Sequence, residues 1–392
     1  MTLLFFSDIP WEHLYQRPQQ LASRLAQRWH VLWIEPATLG APRKWTPVRI
    51  QDRLDLLTVP MFPDYARNKP LRILSRFLSS LPPARWMLHR GQRFLLRRAL
   101  KRLGIARSEI IAVVENFQYI ALVEYLRPVA MVFDYIDDAF GFIEYPVCVR
   151  EDWRKTIRMA ATVTATAPAL QRQIQRENPA SVHLVENGVD VAAFAADPPA
   201  PRPPDMPAPT KPIIIYVGTI ARWFNFGLLE TLLRTIPEYE FVLVGPAHPE
   251  IALRLTEMRD FTNLHVLGRR PHASVPAYLH ASTVGIIPFS RNRLTEGVNP
   301  VKLYEYAAAG LPIVTSAFSD DLGRFRDIAF ISSTPEEFSA QVMLAVDRAH
   351  DAGHTARLRQ FAQENDWTVR AETIASLLTQ HTHTNTNKLH QP

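Results

Sequence analysis

At 392 residues the chain is long enough for two domains, and 47% hydrophobic content supplies more than one core. A single cysteine, Cys148, excludes a disulfide framework within the chain and suits a reducing compartment. The net charge of +6 comes with no nucleic-acid motif, and no apolar run approaches the ~18 residues of a spanning helix. Nucleic-acid binding and a membrane-crossing helix are therefore set aside.

The apolar run 3–6 lacks a basic leader and meets Ser7-Asp8-Ile9-Pro10 at once, so it reads as a first strand rather than a signal peptide. In the loop that follows, Trp11 is suited to stacking on a ring, such as that of a sugar, and His13 or Arg17 to binding a charged group of a ligand. The plainer alternative is that they pack the loop and start a helix. Further strands are expected at 30–34, 54–59, 110–114, 129–135, 163–166 and 183–185, with helices at 18–28 and 168–177. Strands alternating with helices imply parallel βαβ units and a doubly wound α/β sheet.

Between Arg67 and Arg107 the chain carries many basic residues, interleaved with leucines and aromatics, and no carboxylate. A basic helix with an apolar face fits an anionic membrane surface, and equally a core helix with a solvated basic side. The first reading places the protein in the cytoplasm, peripheral on the inner face of the cell membrane. The strand expected at 129–135 runs into Asp137 and Asp138. Carboxylates at a strand's carboxyl end can deprotonate a substrate hydroxyl, or else cap the next turn.

Eight prolines between 198 and 212 then break the pattern and read as a stiff connector. The expected layout is a first α/β domain over 1–196, a linker over 197–212 and a second α/β domain over 213–364. A closing helix over 365–379, possibly returning to the first domain, and a disordered tail over 380–392 complete it. Strands are expected at 213–218, 240–244, 264–267, 284–288 and 313–315, with helices from about 228, from 300, and over 338–349 and 357–378. Two such domains would face a central cleft, since open α/β sheets bind ligands beyond the carboxyl ends of their strands.

The stretch from Asn299 to Val314 carries most of the chemistry. Asn299 suits an N-cap, Pro300 the first helical position, and Gly310 and Pro312 the stop. Lys302 in the first turn opposes the helix dipole, which makes sense if an anion binds there. Glu305, one turn on, is suited to a ribose diol. A bare reading leaves open an ordinary capped helix with a surface Lys/Glu pair.

Pro300, Lys302, Leu303, Glu305, Tyr306, Ala308, Gly310, Pro312 and Val314 resemble the donor-binding helix of GT-B glycosyltransferases, specifically the retaining family 4, also called group 1. The resemblance implies that Lys302 holds a diphosphate and Glu305 the ribose. Gly218 and Thr219 resemble that family's glycine loop, and the stretch around Val266 and Gly268 the one whose backbone meets the base. Glu186-Asn187-Gly188-Val189-Asp190 resembles its Asn-Gly-Val-Asp element. Gln16-Arg17-Pro18-Gln19 resembles a feature of a bacterial branch that makes cell-surface polysaccharide.

The chain also departs from the pattern. Glu296 and Glu305 enclose eight residues rather than seven, which brings Asn299 nearer the donor sugar. Thr219 and Phe224 stand where the family often has Arg and Lys, and Arg222 is the candidate substitute. Asp137 is similar in position to the general-base aspartate of the xanthan glucuronosyltransferase family. The resemblance thus implies a metal-independent hexosyltransferase that uses a nucleotide sugar, UDP- or GDP-linked, as substrate, with no further cofactor. Its acceptor would be a glycan or lipid-linked sugar. The competing reading is a non-catalytic nucleotide-sugar-binding or membrane-scaffold relative.

Overall fold

A computed structural model describes residues 1–13, 15–37, 42–62, 69–142, 147–178, 182–195 and 201–388. The chain divides into two compact units. Unit 1 comprises Met1–Glu186 and Thr368–Pro392, and unit 2 comprises Asn187–Trp367.

Unit 1 is built on eight strands: β1 (Thr2–Phe6), β2 (His30–Pro36), β3 (Val48–Gln51), β4 (Leu54–Val59), β5 (Ile110–Val114), β6 (Ala130–Tyr135), β7 (Thr162–Ala165) and β8 (Val182–Leu184). Their order is β3-β4-β2-β1-β5-β6-β7-β8, parallel except for β3, which runs antiparallel to β4. Every residue of β1, β4, β5 and β6 is buried, which is why these strands read as unbroken apolar runs. Register sets Leu4 beside Leu32 and Ala112, and these three residues share one core with Phe6, Ile34 and Val114. The edge strand β3 is half polar and gives no such signal in the sequence.

Unit 2 has six strands: β9 (Ile213–Val217), β10 (Glu240–Val244), β11 (Leu264–Gly268), β12 (Val284–Ile287), β13 (Ile313–Ser316) and β14 (Ala329–Ser332). They are all parallel, in the order β11-β10-β9-β12-β13-β14. Each sheet grows first to one side of its opening strand and then to the other. The topological switch points therefore lie between β1 and β5 and between β9 and β12, where doubly wound sheets bind ligands.

Three expectations are corrected here. The proline-rich stretch, from 201 onward, packs on unit 2 instead of standing free, and residues 197–200 lie outside the described residues. Met206 joins the unit 2 core, and Asp205 accepts hydrogen bonds from Arg270 at 2.6 Å and from the Tyr278 hydroxyl at 2.9 Å. The single helix expected over 357–378 is two, Ala352–Glu364 and Trp367–Lys388. They part where Asp366 bridges Val189: Val189 N donates to Asn365 O at 3.1 Å and Trp367 N to Val189 O at 3.0 Å. The second helix also runs on to Lys388, in place of a disordered tail from 380. His381 meets the Thr162 hydroxyl at 2.7 Å and Thr382 is buried, while residues 389–392 lie outside the described residues.

Candidate active site

The Asn-Gly-Val-Asp element opens unit 2 and ties it to the Lys302 helix. Asn187 N donates to Asn299 Oδ1 at 2.9 Å, and Asn187 Nδ2 donates to Asn299 O at 2.7 Å. A Cβ on Gly188 would stand 2.6 Å from Asn365 O, so only glycine fits there. Asp190 caps the next short helix by accepting from Ala193 N at 3.3 Å.

At the unit 2 switch point three neighbouring strands end in glycine. Gly218, Gly245 and Gly268 have φ of 137°, 147° and 72°. Gly218 N donates to Val244 O and Gly245 N to Gly268 O, each at 2.8 Å. A side chain on Gly245 would collide with the Gly218 carbonyl, and one on Gly218 would stand 2.6 Å from Lys302 Nζ. The result is an edge of bare backbone with one ammonium against it.

That ammonium belongs to the Val301–Ala308 helix. Its nitrogen lies 5.3 Å from the Tyr216 ring centre and 5.4 Å from that of Phe289, residues on either side of the switch point. Lys302 makes no hydrogen bond or ion pair with any described residue. Burial holds its pKa below the usual lysine value, with Glu305 opposing the shift. A desolvated cation that makes no ion pair is costly, and the cost is recovered when an anionic ligand binds. Glu305 is mostly buried and lies 3.5 Å from His272 Nε2, an interaction that raises the pKa of His272. His272 therefore belongs to this site. Sequence reasoning missed it because its link to Glu305 crosses from the loop after β11 to another element.

The carboxyl edge of unit 1 has the opposite character. Asp8 follows β1, Glu115 and Asn116 follow β5, and Asp137 and Asp138 follow β6. Asn116 Nδ2 donates to Asp8 Oδ1 at 2.9 Å, and Glu115 N to Phe6 O at 3.0 Å, which knits the switch point together. Asp137 makes no hydrogen bond with a described residue. Burial, followed by the charges of Asp8 and Asp138, pushes its pKa up to about 7, against the pull of Arg17. Such a carboxyl is tuned to accept a proton near neutrality.

Residues 211–345 match the family model described as glycosyl transferases group 1. A putative teichuronic acid biosynthesis glycosyltransferase of Bacillus subtilis, TuaH, is 23% identical over 219 residues, 54% of this chain and 55% of that one. The chain thus spans about half the length of the curated relative it matches. Among solved structures, a sucrose-phosphate synthase of Thermosynechococcus elongatus superposes with a TM-score of 0.72 at 15% identity, covering 97% of this chain and 98% of that one. A trehalose-6-phosphate structure from E. coli, bound with UDP-2-fluoro glucose, gives 0.69 at 14% identity over 97% and 99%. Anabaena HepE in complex with UDP and glucose gives 0.60 at 14% over 96% and 99%. These likenesses establish the fold of both units as that of GT-B glycosyltransferases.

Within the matched stretch, Gly218, Thr219, Lys302 and Glu305 gather at or beside the switch point. Gly268 ends the neighbouring edge strand β11, where Val266 is exposed. Arg222 is an exposed loop residue. Two donor assignments are corrected. Asn299 is not the N-cap, a place taken by Pro300, and its amide is occupied by Asn187 and by the Tyr304 hydroxyl, to which Nδ2 donates at 3.0 Å. Leu303 is fully buried in the core, and its N–H is spent on Pro300 O at 3.1 Å. Motif residue Tyr306 is likewise structural, its hydroxyl accepting from Val217 N at 2.9 Å.

In unit 1 the corrections are larger. Arg17 is almost wholly buried, donating to Asp134 at 2.8 and 2.9 Å and to Glu186 O at 2.9 Å, so it is unavailable to an acceptor. Gln19 Oε1 accepts from Gln16 N at 3.1 Å, which makes Gln16-Arg17-Pro18-Gln19 a helix start built around that buried ion pair. Asp138 is a cap, its Oδ1 accepting from Phe140 N at 3.1 Å. Trp11 packs edge-on against Trp33 at 5.0 Å, half-buried, while its N–H donates to Glu35 at 2.8 Å. His13 is exposed. Among the described residues no group of three or more His, Cys, Asp or Glu could hold a metal ion, and no helix is long and apolar enough to cross a membrane.

Proposed function

We propose that the protein is a glycosyltransferase that moves a hexosyl group from a nucleotide sugar held on unit 2 to a hydroxyl of a glycan or lipid-linked acceptor. The observation that carries this reading is Lys302, a desolvated ammonium that makes no ion pair with a described residue, set against the bare Gly218 backbone at the switch point of the stretch that matches the group 1 model. A diphosphate completes that arrangement. Its charge is met by Lys302 and by the free amides that open the helix, and the ribose is read by Glu305 held by His272. Stabilising negative charge on the departing nucleoside diphosphate is the main rate term, which needs neither a metal nor a further cofactor. Asp137, tuned to about 7, takes the acceptor proton if the reaction inverts. UDP- or GDP-linked sugars are the proposed donors, and the similarity to a putative teichuronic acid biosynthesis glycosyltransferase supports a polysaccharide product.

Thermal unfolding against a panel of UDP-, GDP- and dTDP-sugars tests this. One nucleotide class should stabilise the protein, and Lys302→Ala and Glu305→Ala should each remove the effect. No stabilisation by any donor at millimolar concentration would sink the reading.

We also propose peripheral docking on the cytoplasmic face of a membrane. Helices α2 (Lys69–Ser80) and α3 (Pro82–Leu103) expose Ile73, Phe77, Trp86, Met87 and Phe94, the last three 59–67% accessible, among arginines with no carboxylate. Arg90 stacks on Trp86 at 4.7 Å. Flotation with anionic vesicles should be strong and fall when Arg90, Arg97, Arg98 and Arg102 are changed to Glu, whereas unchanged flotation would refute docking by this face.

A further inference from the structure

The ammonium of Lys302 lies over two aromatic faces, 5.3 Å from the centre of the Tyr216 ring and 5.4 Å from that of Phe289. Tyr216 stands on β9 and Phe289 just beyond β12, so the two strands that bound the unit 2 switch point each supply one ring. Both rings are buried, and Lys302 above them is half-buried. Their places are fixed from behind. Phe224 abuts Tyr216 edge-on at 4.9 Å, Phe318 packs on Phe289 at 5.2 Å, and the Ser316 hydroxyl donates to Phe289 O at 2.6 Å. The Tyr216 hydroxyl donates to Thr219 O at 2.8 Å, which ties the same residue to the glycine loop. The Gly218 backbone closes a third side of the ammonium.

We propose that Tyr216 and Phe289 are positioning residues for the donor diphosphate: their ring faces hold the Lys302 ammonium charged and in place before the nucleotide binds. The inference rests on the reading of Lys302 as the residue that meets the diphosphate. A desolvated ammonium needs a partner, and the usual one is a carboxylate. A carboxylate in contact would neutralise the cation and repel an incoming diphosphate. An aromatic face attracts the cation through its quadrupole and carries no net charge, so the whole positive charge stays available to the ligand. Glu305, on the same helix, is the charged group that acts on Lys302, and its own close contact is with His272. Burial pulls the Lys302 pKa down, and contact with two ring faces opposes that pull. Holding the ammonium in its bound position beforehand spares the ligand the cost of ordering it.

The test replaces Phe289 in the full chain by phenylalanine carrying one, two or three ring fluorines, which drain the negative face and keep the ring's shape. Isotope-labelled lysine reports the ammonium by NMR, the Lys302 signal being assigned by its loss in Lys302→Arg. Affinities for UDP, GDP and dTDP are measured by calorimetry on each sample. In the wild type the Lys302 ε-protons should lie upfield of those of exposed lysines, because they sit over ring faces. Each added fluorine should move the alkaline titration midpoint of that signal to lower pH and weaken the tightest nucleotide in step, by about threefold to tenfold at three fluorines. The melting temperature should not follow the series, and a ring with a purely structural role would move neither affinity nor midpoint. Tyr216→Phe, which keeps the face, should bind within about threefold of wild type, and Tyr216→Leu at least about tenfold more weakly.

A Lys302 signal that is not shifted upfield, a midpoint indifferent to fluorine, or an affinity unchanged across the series would each overturn the positioning role. So would Tyr216→Phe proving as damaging as Tyr216→Leu, because the hydroxyl rather than the ring would then be at work. A wild type whose Lys302 signal follows the fluorine series but which binds none of the three nucleotides would overturn the donor reading instead, leaving the aromatic seat of the ammonium supported.

Discussion

In unit 2 the strands β9, β10 and β11 run out into glycine, with Lys302 against Gly218 at the switch point, whereas in unit 1 β1, β5 and β6 run out into Asp8, Glu115 and Asp137. The backbone scaffold is the same, a parallel sheet whose crossovers reverse direction beside its first strand. Topology therefore fixes where a ligand can bind, and the residues just past each strand fix its charge. Glycine lets a ligand come close to the backbone beside the Lys302 ammonium, while the unit 1 edge presents carboxyls.

The comparison is sharpest where each edge keeps its charge. Arg17 and Asp134 are the exception in unit 1, a fully paired set placed for structure. Arg17→Leu should therefore cost about 3–5 kcal/mol in chemical denaturation, since it strands Asp134 in the core. If stability held and only acceptor affinity fell, Arg17 would belong to the ligand side after all. Lys302→Ala makes the opposite case. It should lower transfer or donor binding by about a hundredfold, roughly 2.7 kcal/mol, with little loss of melting temperature, because the cation it removes makes no ion pair or hydrogen bond with a described residue. A large drop in stability would show that Lys302 supports the fold.

Smaller effects test how the two edges are made. Gly218→Ala forces a side chain into a φ of 137° and against Lys302, and should cost about 1–3 kcal/mol in unfolding experiments while also weakening nucleotide binding. An unaffected nucleotide affinity would mean that the bare backbone is not part of the site. Asp137→Asn tests the acid edge through pH. The folded protein holds a proton on Asp137 up to about pH 7, while the unfolded chain releases it near the ordinary value of 3.8, so this group's contribution to stability falls as pH rises between those values. The variant should match wild type below about pH 4 and be more stable by about 1–2 kcal/mol above pH 7, a gain kept modest because Asp137 is only partly buried. A pH-independent difference would argue against the shifted proton.

Much of the fold is legible in the sequence because parallel strands buried on both faces must be continuous apolar runs, and most of those expected lie within a residue or two of the strands found. β3 and β14 escape notice because an edge strand of mixed polarity and a four-residue strand carry little periodic signal. In the site, Lys302 and Glu305 are readable from helix position and motif together. His272 and the paired rings of Tyr216 and Phe289 are not, since what marks them is a contact across elements. Asn299 and Arg17 mislead for the same reason: an amide and a guanidinium look available in a sequence until the groups that occupy them arrive from residues 187 and 134.

The sequence by itself determined the alternating α/β elements, the Gly-Lys-Glu arrangement that suits an anion, and the group 1 segment, because each depends on neighbours a few residues apart. Tertiary structure alone decided which charges are spent and which are spare. Asp134 and Glu115 are both buried carboxyls beside the same arginine, yet only Asp134 reaches it in hydrogen-bonding geometry, because its strand ends alongside the start of helix α1 (Arg17–Leu25). Whether a polar group pairs or waits for a ligand depends on solvation and partners in space, which residue spacing along the chain does not specify.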